Sequence, residues 1–298
     1  MFNRELIRLN CTQTGIEVGG LVNYSPARYL ARFRSFLAAI ETGEESYFQS
    51  YELKVPDSIP CEPGADVRVL GIGSGSGEVD RAVLQKVLQR HNRVYSRVVE
   101  PSEDMIKQYK ELVRVDTSLS AVKFEWRQQT AEEYFQTKGD AKFHLIHAIH
   151  VLYYVEDIHA TLRNMWEQLA DGGYMLVGME SDRSDWGRME YKLREMFSPD
   201  ESSTSFCTPG DVKQWLDSTG ISYVTSEDET NVNVTECFKE GSEEGMMLLD
   251  FLTQTHDASC DPEMRSTAFE YIRRNSSVVD GKILFRSVTE VIVASKNN

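Results

Sequence analysis

The chain has 298 residues, 41% hydrophobic and 27% charged, a balance that suits a large folded domain with an accessory part and excludes a disordered chain. Its formal net charge of -15, from 47 acidic and 32 basic residues with no Lys/Arg cluster, repels phosphate backbones and anionic lipid. Nucleic acid and membrane are therefore not expected as partners.

MFNRELIRLN lacks the apolar stretch of a signal peptide, and no run reaches membrane-spanning length. Cys11, Cys61, Cys207, Cys237 and Cys260 are odd in number and form no CxxC pair, which reads as free thiols in a reducing compartment with no zinc site. We expect a soluble, cytoplasmic monomer.

Residues 1–25 are irregular around Gly19-Gly20 and read as a flexible start. Ser25-Pro26 opens a helix, with Ser25 as cap and Pro26 in the first turn. Tyr29, Phe33, Phe36, Leu37 and Ile40 then make one aromatic face. A Pro/Gly-rich linker follows near Pro56–Gly64.

From there strands and helices alternate: strands at 67–72, 95–99, 122–128, 143–149 and 174–179, helices at 78–91, 102–115, 131–135 and 157–169. That order predicts an α/β fold, a doubly wound and mostly parallel sheet with helices on both faces. The rhythm breaks at residues 181–206, a polar segment carrying Trp186, Tyr191, Phe197 and Phe206. A capped helix follows from Thr208-Pro209 to Gly220, then a strand near 222–226, an apolar helix at 246–252 and a closing strand at 283–294.

Gly73-Ser-Gly75-Ser-Gly77 joins the first strand to the first helix, where glycines let backbone approach a ligand at a helix N-terminus. The dinucleotide pattern GxGxxG fails in both frames, because Ser76 and Glu78 stand where its last glycine belongs; no P-loop GK[ST] follows. The second strand ends in Val99-Glu100-Pro101, which places a carboxylate where it can accept both hydroxyls of a ribose. The fourth strand ends at Ile149-His150-Val151-Leu152-Tyr153-Tyr154, on the sheet edge where ligands of such folds bind. An Asp171-Gly172-Gly173 turn leads into the fifth strand.

Further phrases narrow the reading: Gly-Ser-Gly-Glu-Val-Asp80, Val-Val-Glu-Pro-Ser102, Tyr-Lys-Glu-Leu-Val113, Val-Lys-Phe-Glu-Trp126, Leu-Tyr-Tyr-Val155, Asp-Phe-Leu-Thr253 and Gly-Lys-Ile-Leu-Phe285. In these the chain resembles the histamine N-methyltransferase family, from about residue 26 to the C-terminus. The resemblance implies a Rossmann-like class I methyltransferase that uses S-adenosylmethionine on a small amine. It also implies a smaller substrate-binding part built from about 26–55, 181–206 and 236–285.

Carried over by position, the resemblance puts Gly73, Glu100 and Ile149 at the cofactor, and with them Gly75 and Gly77 of the same loop. It also puts Met105 there where the family has Gln, and Ala131, beside Thr130, where it has Ser. Tyr29, Phe33, Phe36, Tyr154, Trp186, Phe197, Phe206 and Phe251 fall around the aromatic pocket, His150 where the family has Gln, and Ser287 where it has Asn. The family's substrate-binding Glu lands at Thr42, with Glu41 adjacent. His150 and Tyr154 are the expected catalytic contacts.

Methyl transfer needs a nucleophile with a free lone pair; a neutral imidazole exposes one near pH 7, and His150 is expected to hydrogen-bond or deprotonate the acceptor. Aromatic walls suit a cationic or planar substrate. His144, His147 and His150 alternate across a strand, which disfavours a metal site. A different small-molecule acceptor, a nicotinamide dehydrogenase, and a cofactor-binding protein without catalysis remain open at this stage.

Overall fold

The computed structural model describes residues 26–137, 139–197, 207–254 and 261–296. Ser25 as a cap, the expected flexible start and Phe206 lie outside the described residues. β1 (Val67–Ile72), β2 (Val94–Val99), β3 (Val122–Arg127), β4 (Phe143–Ile149) and β5 (Leu169–Glu180) run parallel in the order β3-β2-β1-β4-β5. β8 (Lys282–Ser295) joins β5 antiparallel, β6 (Tyr223–Asn233) pairs with the far edge of β8, and the short β7 (Ser277–Val279) makes a hairpin with it. The expected doubly wound sheet is present. Its inner strands are apolar on both faces because helices cover both.

The crossover helices are α3 (Glu78–Leu88), α4 (Glu103–Val115), α5 (Ala131–Thr137) and α6 (Ile158–Gln168), followed by α8 (Pro209–Ser218). Their caps are written in the sequence: Ser102, Asp157 and Thr208 each accept a hydrogen bond from a first-turn amide. Asp171-Gly172-Gly173 lies inside β5, at an irregularity where Gly172 and Gly173 pair with Lys296.

Four elements depart from the sequence reading. The polar segment after residue 181 holds a helix, α7 (Asp185–Phe197), whose Trp186, Met189 and Leu193 form a buried stripe beneath a charged outer face. β6 runs well past Ser226 through an acidic stretch, because an edge strand tolerates outward charges. Two more helices, α2 (Glu44–Glu52) and α10 (Pro262–Asn275), bury only Phe48 and Tyr51, and Met264, Ala268 and Ile272, respectively. So few apolar residues leave little periodic signal.

Besides the cores on the two sheet faces, a third core joins α1 (Pro26–Ala39), α7, α9 (Glu243–Thr253) and α10 to the ends of β6 and β8. An ion pair at 2.8 Å between Arg32 and buried Asp250 ties α1 to α9. α1 also reaches α4 through Arg34 and Gln108.

Candidate active site

The loop after β1 turns through three left-handed glycines: Gly73 at φ 63°, Gly75 at φ 55° and Gly77 at φ 94°. A Cβ on Gly73 would lie 2.1 Å from Val151, and one on Gly77 2.2 Å from the Tyr109 ring, so packing alone demands glycine at both. Gly75 differs. Its Cβ would meet only the Met105 sulfur, at 3.8 Å, which leaves the backbone there open to a ligand.

Facing that opening, Glu100 is buried at the end of β2. Its Oε2 accepts from the Gly75 amide and its Oε1 from the Ser102 amide, both at 2.9 Å. Burial pushes its carboxyl above the usual carboxylate range, and the two amides pull it back. Below the loop, buried Asp80 accepts from Tyr109 at 3.2 Å and faces His147 at 3.6 Å.

The remaining expected donor-site residues divide. Met105, Ala131 and Ile149 are buried near the sheet edge. The Thr130 hydroxyl instead accepts from the Glu133 amide, while its own amide donates to Glu133, a reciprocal cap on α5.

His150 follows β4 with a left-handed backbone, φ 53°, which is uncommon for a residue with a side chain. Its amide donates to Gly178 of β5 at 2.8 Å. Its Nε2 lies 2.8 Å from the Tyr51 hydroxyl and 3.4 Å from that of Tyr47, and its Nδ1 lies 3.5 Å from that of Tyr153. Burial lowers its pKa to about 4. The ring is therefore neutral at pH 7 and cannot hold a proton taken from an ammonium; of the two roles expected for it, hydrogen bonding is the one its surroundings support. The same desolvation keeps the phenols of Tyr47, Tyr51 and Tyr153 neutral.

Tyr154 sits in a 3-10 turn and donates to Gln254 at 3.1 Å. Around Phe251 cluster Tyr29, Phe33, Phe36 and Trp186, with ring centroids 4.9–5.8 Å from it. Phe36, Trp186 and Phe251 are buried, and the Trp186 indole donates to the Leu252 carbonyl at 2.8 Å. Tyr29 is only partly buried, and Glu100 and Glu78 are close enough to raise its phenol further, so α1 extends over the glycine loop. Phe197 packs on this core from the end of α7.

Glu41 is not brought to the cluster. It pairs with Lys282 at 2.8 Å and with Asn233 at 3.3 Å, and Lys282 holds its carboxyl below the ordinary range. Thr42 lies 3.2 Å from Thr230, the residue opposite Ser287 across β6 and β8. Ser287 is buried and donates to Glu180 at 2.8 Å.

Tyr47, Tyr51 and Glu180 were missed by the sequence reading, and Tyr153 stood in the segment expected at the ligand-binding edge without a role of its own. For the first three, only the spacing of Tyr47 and Tyr51 on one helical face, four apart, could have given a signal. His144 accepts from the Arg68 amide and His147 faces Asp80, so the three histidines go to separate surroundings. Among the described residues no three His, Cys, Asp or Glu side chains group as metal ligands.

A family model described as a methyltransferase domain matches residues 23–226. With the glycine cradle, the acid ending β2 and this strand order, the protein is a class I S-adenosylmethionine-dependent methyltransferase. It is 35% identical over 284 residues to the histamine N-methyltransferase of Xenopus tropicalis, covering 91% of this chain and 96% of that one. To the histamine N-methyltransferase of Cavia porcellus it is 34% identical over 270 residues, covering 87% and 92%. The chain belongs to the histamine N-methyltransferase family. The fold is also similar to an S-adenosylmethionine-dependent methyltransferase from Thermotoga maritima, with a TM-score of 0.52, 16% identity, and 94% and 100% of the chains covered.

Proposed function

We propose that the protein methylates a nitrogen of a small amine, histamine or a related imidazole or aromatic amine. The observation that carries this reading is the neutral His150–tyrosine cluster at the end of β4, on the same sheet edge as the Gly75–Glu100 cradle. The family membership supports it.

Gly73, Gly75, Gly77, Glu100, Met105 and Ile149 hold the methyl donor, Glu100 receiving its ribose hydroxyls. The Ala131–Thr130 step borders the same site. The donor's sulfonium supplies the methyl group. The protein supplies alignment for in-line attack, worth ~7–11 kcal/mol in well-oriented reactions. His150 and Tyr154 contact the acceptor, and because His150 is neutral it orients a lone pair without repelling a cationic amine. The described residues within about 26–55, 181–206 and 236–285 form the substrate-binding part, with Tyr29, Phe33 and Phe251 as aromatic wall.

No helix among the described residues is long and apolar enough to cross a membrane. Free Cys61, Cys207 and Cys237 fit a cytoplasmic setting, and a monomer suffices for this site.

The test is transfer of labelled methyl from S-adenosylmethionine across imidazoles, phenylethylamines, indolethylamines and polyamines. Product with histamine or another imidazole or aromatic amine is expected. A donor that binds while no amine is methylated overturns the reading.

A further inference from the structure

A buried acid is stable as an anion when a cation accompanies it. Three buried acids here have such a neighbour: Glu190 pairs with Arg194 at 3.2 Å, Asp250 with Arg32 at 2.8 Å and Glu290 with Lys213 at 2.7 Å, while Asp80 lies 3.6 Å from the His147 ring. Glu100 and Glu180 are equally buried, yet neither has a cationic side chain in ion-pair range among the described residues. The donor's ribose accounts for Glu100. Nothing so far accounts for Glu180.

Glu180 ends β5 on the ligand-binding edge of the sheet, one strand from His150. Two tyrosines join them. The Glu180 amide donates to the Tyr153 hydroxyl, which lies 3.5 Å from His150 Nδ1. Thr289, opposite Glu180 on β8, hydrogen-bonds Tyr51, whose hydroxyl lies 2.8 Å from His150 Nε2. The carboxylate accepts from Ser184, from Ser287 at 2.8 Å and from the Val288 amide at 3.1 Å. A carboxylate has about four acceptor positions, so one remains.

We propose that Glu180 is the counter-ion for a protonated ammonium carried by the acceptor, separate from the nitrogen that is methylated. It is then a specificity residue, selecting amines that bear a cationic side arm beside a neutral nucleophilic nitrogen. The assignment rests on the amine-acceptor reading above. Burial, with a smaller contribution from nearby Glu190, raises the Glu180 carboxyl to about 7, so an arriving cation both pairs with it and favours its ionised form. The phenols of Tyr47, Tyr51 and Tyr153 around it are neutral and cannot replace that charge.

Gln at this position keeps the acceptor oxygen and the shape while removing the charge. We would measure kcat and KM for histamine and for 4-ethylimidazole, which has the ring but no ammonium, in wild type and Glu180→Gln. Melting temperature and S-adenosylhomocysteine affinity serve as controls. Histamine KM should rise about 10- to 100-fold in the variant, the worth of one charge-assisted contact, while 4-ethylimidazole changes by less than about 2-fold. Equal losses for both substrates, or unchanged discrimination with turnover intact, overturn the Glu180 assignment alone. A wild type that methylates no amine overturns the acceptor reading, and the assignment with it.

Discussion

The Gly75 amide donates to Glu100 Oε2 at 2.9 Å, so the loop after β1 and the acid ending β2 brace each other. The cradle is thereby preorganised, and little ordering cost remains when the methyl donor binds. Glu100→Ala removes the brace and, with it, the ribose acceptor proposed above. Charge-assisted hydrogen bonds contribute ~1.5–3 kcal/mol each, so affinity for S-adenosylmethionine should fall at least about tenfold by calorimetry. Unchanged affinity would remove Glu100 from the cofactor site.

Glycine positions in the loop should separate binding from folding. Gly75→Val places its Cβ in ordinary contact with the Met105 sulfur and suffers chiefly left-handed strain, of order 1–3 kcal/mol, so it should fold yet fail to bind donor. Gly77→Val drives a methyl into the Tyr109 ring and should mainly lower the melting temperature. Thermal melts beside donor titrations test both, and a Gly75→Val protein that binds normally contradicts the open-face account.

His150 should stay neutral well below the usual imidazole range. The unfolded chain takes up a proton near pH 6.5, whereas the folded ring does so only at about 4. Stability associated with this residue is thus complete above pH 6.5 and is lost as pH falls toward 4. Nitrogen NMR of the His150 ring should show no titration between pH 8 and 5, and His150→Gln should flatten the acid side of the stability profile. A transition near 6.5 would return His150 to the role of a proton acceptor.

Glu180 has the opposite sign. The unfolded carboxyl ionises near 4.5, while the folded one holds its proton up to about 7. Its contribution is therefore fully present below pH 4.5 and is lost as pH rises through 7, a swing on the order of 3 kcal/mol. Glu180→Gln should melt at the wild-type temperature near pH 4.5 and above it at pH 8. Equal differences at both pH values would mean the carboxyl is ionised throughout.

Much of this was written locally. The alternation of apolar strands and capped helices dictated the parallel sheet. Gly73–Gly77 and Glu100 could be placed because a strand end followed by a turn leaves few places for a side chain to go. Aromatic spacing along residues 29–40 likewise gave the buried face of α1.

The acceptor side was decided only in three dimensions. Glu180 looks like any polar residue ending a strand; it becomes an uncompensated buried carboxyl because the turn before α7 and β8 close over it with serines and an amide rather than a cation. Tyr51 reaches His150 from a helix 99 residues away, and no local pattern encodes that meeting. Glu41, adjacent in sequence to a family contact, turns instead to Lys282 on β8. Sequence fixes what a strand or turn must do with its own neighbours, whereas burial and charge compensation depend on which distant elements arrive.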